Sequence, residues 1–446
     1  MASSSWQNAT TEIHAGYSPA GEHRPMTVPI YNTAAYQFPD YATAAQLFSL
    51  KEPGFTYSRT GNPTVAVLEE RAAALEGGIG AIATATGQAA VALSLLALLQ
   101  GPNHLVASSK LYGGTVDLLT DTFADFGITV TFVDPEDPAN WAAAITEKTR
   151  GFLLESVSNP LATLVDLRAI TDLAHAAGIP VVVDNTLATP AAYRPIEFGA
   201  DIVVHSATKA LSGHGSVLGG LVIDAGTFDF TDAARWPQIA GPKARYYGDS
   251  LLGRYGAKAY LMLARSKFLH DLGPTLSAAS ASSILTGIET LSLRVAKAQA
   301  NVLELVKALG VHPAVARVHH PSVPTHQDHE LAKEHFPNGT GCVFSFDLKD
   351  PAAVPQLVDS LKLFALAANI GDARSLIVHP AAMTHCRLND AQLAAAGIAP
   401  GTLRLSVGLE DARDLVADLV SGLDALGRNN TTTETVANAP RETVNA

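Results

Sequence analysis

The sequence predicts an α/β protein, with a mostly parallel central sheet flanked by helices and a smaller C-terminal α+β domain. Three observations predict it. Short apolar runs alternate with helical patterns from about residue 62 to 223, as when strands are joined by helical crossovers. Two of these runs, GIPVVVDNT (178–186) and DIVVHS (201–206), read as buried strands. After a long helical stretch, CVFSFDL (342–348), SLIVHP (375–380) and TLRLSVG (402–408) interleave with helical patterns near 351–368 and 411–426.

Length and composition bound the rest. A chain of 446 residues suggests about three units of ~150 residues. We expect an N-terminal arm (1–60), a large domain (61–265), a small domain (266–427) and a disordered polar tail (428–446). With 30 basic and 42 acidic residues and no basic block, nucleic-acid binding is not expected. Cys342 and Cys386 form no short-spaced pair, which argues against a disulfide framework or thiolate zinc site and fits a reducing cytoplasm. The N-terminus lacks the basic and apolar regions of a signal peptide. The longest apolar run, AAVALSLLALL (89–99), is too short to span a bilayer and reads as a buried helix.

Residues 1–60 show little periodicity and end in FTYSRTGNP (55–63). Tyr57 and Arg59 there are either ordinary loop residues or a phosphate contact, since arginine offers phosphate a bidentate fork. Asn62 and Pro63 suit the N-cap and first position of a helix that Gly77 ends. The strand AIATAT (81–86) meets Gly87-Gln88 at the start of the next helix, a turn that lets an anion approach free N–H groups. HLVASSKLYGGTVDLL (104–119) repeats strand, turn and helix, with Tyr112 at the turn. ITVTFVD (128–134) and TRGFLLESVSNP (149–160) are further strands, and DLRAITDLAHAAG (166–178) is an amphipathic helix. LTGIETLSLRVAKAQANVLELVKALG (285–310) reads as one long helix. His326, His329 and His335, without a second cluster, read as a solvated loop entering a helix rather than a metal site. Arg404 lies inside an apolar strand, so it is either a structural ion pair or a receptor for a substrate carboxylate.

The chemistry centres on Lys209. Asp184 ends one buried strand and Lys209 follows the next, 209 − 184 = 25 residues later, enough for a parallel crossover. Both then project from the carboxyl edge of one sheet, where open α/β sheets bind ligands. Pyridoxal 5'-phosphate (PLP) needs such a pair. A lysine amine holds its aldehyde as a Schiff base, and a carboxylate keeps its ring nitrogen protonated. Tyr112, at the same edge, could stack on a planar ring.

The segments YSRTGNPT (57–64), ATGQAA (85–90), LYGGT (111–115), ESVSNP (155–160), VVVDNT (181–186), HSATK with GHG (205–215), ETLSLR (289–294), GDARSL (371–376), HPAAMTH (379–385) and LRLSVGLE (403–410) together resemble the Cys/Met-metabolism PLP enzymes of fold type I, the aspartate-aminotransferase-like fold. The resemblance runs from about residue 10 to 427. It implies that Lys209 binds the cofactor and moves protons, Asp184 pairs with the ring nitrogen and Tyr112 stacks on the ring. It implies that Gly87, Gln88, Ser206 and Thr208 cup the phosphate, and that Tyr57 and Arg59 reach a neighbouring subunit's phosphate in a homo-oligomer, usually a tetramer. Arg404, Asn159 and Ser375 would hold the amino-acid carboxylate, and no metal is implied.

Within the family, Gln88, GDARSL and ETLSLR resemble the O-acetylhomoserine sulfhydrylases, which implies γ-replacement by sulfide or a small thiol in methionine biosynthesis. Gly114 stands where methionine γ-lyases carry cysteine. Ala210, Met383 and Lys110 also depart from the common pattern. Cystathionine γ-synthase, O-succinylhomoserine sulfhydrylase and γ-lyase activities are the nearest rivals. A non-catalytic binding module would have no need of Lys209, and a nucleotide-binding protein would need a phosphate loop motif that this sequence lacks.

Overall fold

Residues 6–429 are described by a computed structural model. Two sheets organise them. The larger has seven strands in the order β1-β7-β6-β5-β4-β2-β3. These are β1 (Gly80–Thr84), β2 (His104–Ser108), β3 (Thr129–Val133), β4 (Thr149–Glu155), β5 (Val181–Asp184), β6 (Ile202–Ser206) and β7 (Gly220–Asp224). Strands β2 to β6 pair in parallel. β7 is antiparallel to both β6 and β1. A non-helical loop joins β6 to β7, so the crossover that a parallel pair needs is missing.

Alternate side chains of the central strands enter different cores. Val181 and Val183 pack with Val65, Leu68 and Ile170, from helices Pro63–Glu76 and Leu167–Ala176. Val182 and Val204 pack with Leu95 and Leu98, from helix Gly87–Leu98. Burial of each such side chain stabilises the fold by about 1.5–3 kcal/mol. Local signals set the helix ends. The Asn62 side chain accepts from Thr64 N, Pro63 opens the helix, and Gly77 closes it in the left-handed conformation.

The second sheet has the order β10-β11-β12-β9-β8, built from β8 (Val315–His319), β9 (Val343–Leu348), β10 (Ala365–Leu366), β11 (Leu376–Val378) and β12 (Thr402–Ser406). Helices Leu291–Gly310 and Ala412–Asn429 cover it through Val302, Leu305, Leu415 and Leu419.

Several sequence expectations change. The stretch 285–310 is not one helix, because Ala278–Ile288 ends before Leu291–Gly310 begins. The Arg294 guanidinium takes the Gly287 carbonyl at 2.5 Å, a group that a continuous helix would bond internally. The helix near 351–368 is only Val354–Ser360 after a short 3₁₀ turn. The Asp418 carboxylate there accepts from Lys362 N and Leu363 N and draws the chain towards β10. The arm contains two short helices, Asn8–His14 and Tyr41–Phe48. The histidine segment does lead into a helix, His329–His335, but its loop is only partly solvated. His326 is buried, and Asp328 Oδ2 accepts from Leu164 N at 2.9 Å, fastening the segment to the large sheet's side. The C-terminal helix continues to Asn429, and the rest of the expected disordered tail lies outside the described residues.

Candidate active site

The sheet order places the site. From β2 the chain adds β3 on one side, then crosses back to add β4, β5 and β6 on the other. The crossovers diverge between β2 and β4, and their carboxyl ends bound a crevice at that switch point. Tyr112 follows β2 and Asn159 follows β4. A cavity of about 440 Å³ opens here. Its walls include Gly87, Gln88, Tyr112, Asn159, Asp184, Ser206, Thr208, Lys209 and Arg404, so nine of the twelve sequence-predicted site residues line it.

Lys209 Nζ donates to Asn369 Oδ1 at 2.7 Å. Burial, then the nearby Arg404 charge, lowers its pKa from the usual lysine value, so the neutral amine is reached more easily. Asp184 stands one strand away. Its Oδ1 accepts from Thr186 N at 3.0 Å and Thr186 Oγ1 at 2.5 Å. The same hydroxyl accepts from Ser206 N at 2.8 Å, tying β6 to the carboxylate. Burial raises the pKa of Asp184 and Thr186 opposes the rise. An uncompensated carboxylate is costly there, and a cationic ring nitrogen would offset that cost.

The phosphate end of the cavity is the start of helix Gly87–Leu98, whose N-cap Thr86 accepts from Ala89 N at 3.1 Å. A Cβ on Gly87 would sit 2.5 Å from Ser206 Cβ, so only glycine lets the helix end approach β6 this closely. Helix N-terminal N–H groups with the Ser206 and Thr208 hydroxyls suit an anion. Gln88 Nε2 donates to Gly114 O at 2.9 Å and pins the Tyr112 loop. A Cβ on Gly114 would lie 2.6 Å from the Tyr112 ring, so any side chain there would displace the ring.

Arg404, in β12, reaches the same cavity from the second sheet. It is 4% exposed. Its Nη1 donates to Asn159 Oδ1 at 3.1 Å and its Nη2 to Asn369 O at 3.0 Å, while Nε is buried without a hydrogen-bond partner. No carboxylate pairs with it among the described residues. Burial lowers its pKa to about 10. A guanidinium held by neutral acceptors, with a donor to spare, suits an incoming carboxylate. A lysine amine, an opposed carboxylate, an anion cradle and this free donor together fit pyridoxal phosphate and an amino acid.

Three predicted residues lie elsewhere. Ser375 is fully buried and faces Glu410: its N and Oγ donate to that carboxylate at 2.7 and 2.8 Å, and it does not line the cavity. Tyr57 and Arg59 are exposed and do not line this chain's cavity. The Arg59 guanidinium lies 5.6 Å from the Tyr57 ring centroid. Sequence reasoning gave no role to Glu155, Thr186, Asn369 or Thr384. Of these, Glu155 carried a readable signal, since it ends the apolar run of β4 as Asp184 ends that of β5.

Known proteins place this architecture. The chain is 41% identical over 424 residues to an O-acetyl-L-homoserine sulfhydrylase of Leptospira meyeri, covering 93% of this chain and 96% of that protein. It is 40% identical to a homocysteine synthase of Schizosaccharomyces pombe, covering 93% and 97%. Among solved structures, an O-acetylhomoserine (thiol)-lyase of Campylobacter jejuni carrying a pyridoxyl-lysine phosphate superposes with a TM-score of 0.91 at 35% identity, over 94% of this chain and 100% of that one. A cystathionine gamma synthase of Xanthomonas oryzae pv. oryzae superposes with a TM-score of 0.82 at 34% identity, over 95% and 99%. Residues 9–424 match the Cys/Met metabolism PLP-dependent enzymes, and the chain belongs to that family.

Proposed function

We infer that the protein is a PLP-dependent O-acetylhomoserine sulfhydrylase. It replaces the acetate of O-acetyl-L-homoserine with sulfide or a small thiol, giving L-homocysteine or methionine. The observation that carries this reading is the meeting of Lys209, Asp184 and the carboxylate-free Arg404 on one cavity. The names of the relatives fix the subgroup.

Lys209 would hold the cofactor, Asp184 its ring nitrogen and Tyr112 one ring face. Gly87, Gln88, Ser206 and Thr208 would hold its phosphate. Bound there, pyridoxal phosphate would supply an electron sink for charge developing at the substrate α-carbon. Arg404 and Asn159 orient the substrate carboxylate. Ser375, held by Glu410, supports that wall from behind. Lys209, once its amine is free, removes the α-proton and later returns a proton. Asn369 Oδ1 sits within hydrogen-bond reach to steer that amine. A second proton leaves Cβ and acetate leaves Cγ; the sulfur nucleophile then adds at Cγ, and protons return to Cβ and Cα.

The assembly in this reading is a homo-oligomer, a tetramer built from dimers, in which Tyr57 and Arg59 reach the partner subunit's phosphate site. Two features support it: the exposure of both side chains, and the apolar Trp6, Met26, Tyr41 and Phe48 left in solvent on the arm. Among the described residues no helix is long and apolar enough to cross a membrane. The two free cysteines suit the reducing cytoplasm that we propose as its compartment.

A paired turnover assay tests the function. Purified protein with added pyridoxal phosphate receives O-acetyl-L-homoserine with sulfide in one reaction and with L-cysteine in the other. Fast homocysteine formation with little cystathionine is expected. The reverse makes it a cystathionine synthase, the second reading, favoured by its likeness to the Xanthomonas structure.

A further inference from the structure

Glu155 is a titratable side chain lining the cavity that the proposed reaction leaves unused. It closes β4 directly beside Asp184, its register partner on β5. The residue is 7% exposed. Its Oε1 accepts from Tyr112 N at 2.6 Å, while Oε2 is buried with no hydrogen-bond partner. One side chain therefore ties the aromatic flank of the site to the strand beside its carboxylate.

Two buried carboxyls one strand apart cannot both carry charge cheaply, so the pair titrates as a unit. Geometry divides the roles. Asp184 receives two hydrogen bonds from Thr186, which favour its charged form. Glu155 receives only backbone donors, Tyr112 N on Oε1 and Asn159 N beside it, with no hydroxyl, and Oε2 keeps no hydrogen-bond partner. The other charged groups on the same cavity are Lys209 and Arg404, with Asp117 at the end of helix Gly113–Asp117. His205 lies behind Asp184, hydrogen-bonded to Glu76 at 2.6 Å.

We propose that Glu155 is a positioning residue for this reaction: one carboxyl oxygen fixes the Tyr112 flank, and the other carries the proton of the Glu155–Asp184 pair, leaving the charge on Asp184. Burial, then the Asp184 charge, pushes the Glu155 carboxyl up to about 8, in keeping with that division. The inference rests on the reading that Lys209 and Asp184 hold pyridoxal phosphate.

The test uses the holoenzyme with Glu155→Gln and Glu155→Ala. Glutamine keeps an acceptor for Tyr112 N and cannot ionise. It is expected to hold kcat within about threefold, because the shape and the Tyr112 bond survive. It should also lose the part of the alkaline activity decline that Glu155 ionisation causes above pH 8 in the wild type. Alanine frees the Tyr112 loop. It is expected to lower kcat about ten- to a hundredfold with little change in KM, as misplaced reacting groups do, and to weaken the visible circular dichroism of the bound cofactor. An alanine variant with wild-type kcat and visible dichroism overturns the inference. So does a glutamine variant that declines across the same alkaline range as the wild type. A wild type with no bound-cofactor absorbance instead sinks the reading of the site.

Discussion

The two walls of the cavity are built differently. On the large-sheet wall, Asp184 and Ser206 end parallel strands whose apolar residues are buried on both faces, and Lys209 follows three residues on. On the small-sheet wall, Arg404 stands in an antiparallel strand, while Asn369 and Thr384 lie in irregular segments. Across the cavity Lys209 Nζ donates to Asn369 Oδ1 and Arg404 Nη1 donates to Asn159 Oδ1. A rigid wall suits groups that must stay fixed on a cofactor. A wall of loops and one arginine suits groups that meet different substrates. Chemistry and substrate choice should therefore separate under mutation.

The largest effect should come from the rigid wall. Lys209→Ala should abolish turnover and the absorbance of the lysine-bound cofactor, read by spectrophotometry and product assay. Full activity in that variant would move the chemistry elsewhere. Asp184→Asn removes the buried countercharge and should cut kcat about a hundredfold or more, since breaking a buried pair costs about 3–5 kcal/mol. Arg404→Ala should act from the other wall, raising KM for O-acetyl-L-homoserine about ten- to a hundredfold, the worth of a charge-assisted contact. If kcat fell instead and KM held, the two walls would not divide as argued.

Arg404 also offers a pH test across the cavity. Its charge lowers the Lys209 pKa, so its removal should let Lys209 hold its proton to higher pH. Capture of pyridoxal phosphate by apo Arg404→Ala should therefore begin at higher pH than in the wild type, followed by absorbance against pH. The smallest effect should come from outside both walls. Asp166→Ala removes the N-cap bond to Ala169 N and should cost about 1 kcal/mol of stability with unchanged kcat and KM. Thermal unfolding beside steady-state kinetics reads both.

Which parts of this were legible in the sequence follows from periodicity. Asp184 and Lys209 could be found because they follow buried strands, where an apolar run stops on chemistry. Arg404 stood out as a charge among apolar neighbours. Asn369 could not be found, since it lies in a loop with no pattern and gains meaning only from contacts with residues 160 positions or 35 positions away. β8 carries little signal because VARVH is an edge strand with exposed positions and histidines beside it. The overlong helix near 351–368 failed for a tertiary reason, the Asp418 clamp. Tyr57 and Arg59 look bland in one chain, and only a resemblance suggested otherwise.

The direction of the parallel strands also maps where this chain can be lengthened. Tyr112, Glu155, Asn159, Asp184, Ser206 and Lys209 sit at or just after the carboxyl ends of β2, β4, β5 and β6. The turns feeding their amino ends, such as Gly101-Pro102 before β2 and Glu147-Lys148 before β4, are exposed and lie at the opposite edge. A peptide tag or reporter inserted there would enter solvent without crossing the cavity. The same insertion after β2 or β4 would lift Tyr112 or Asn159 out of place.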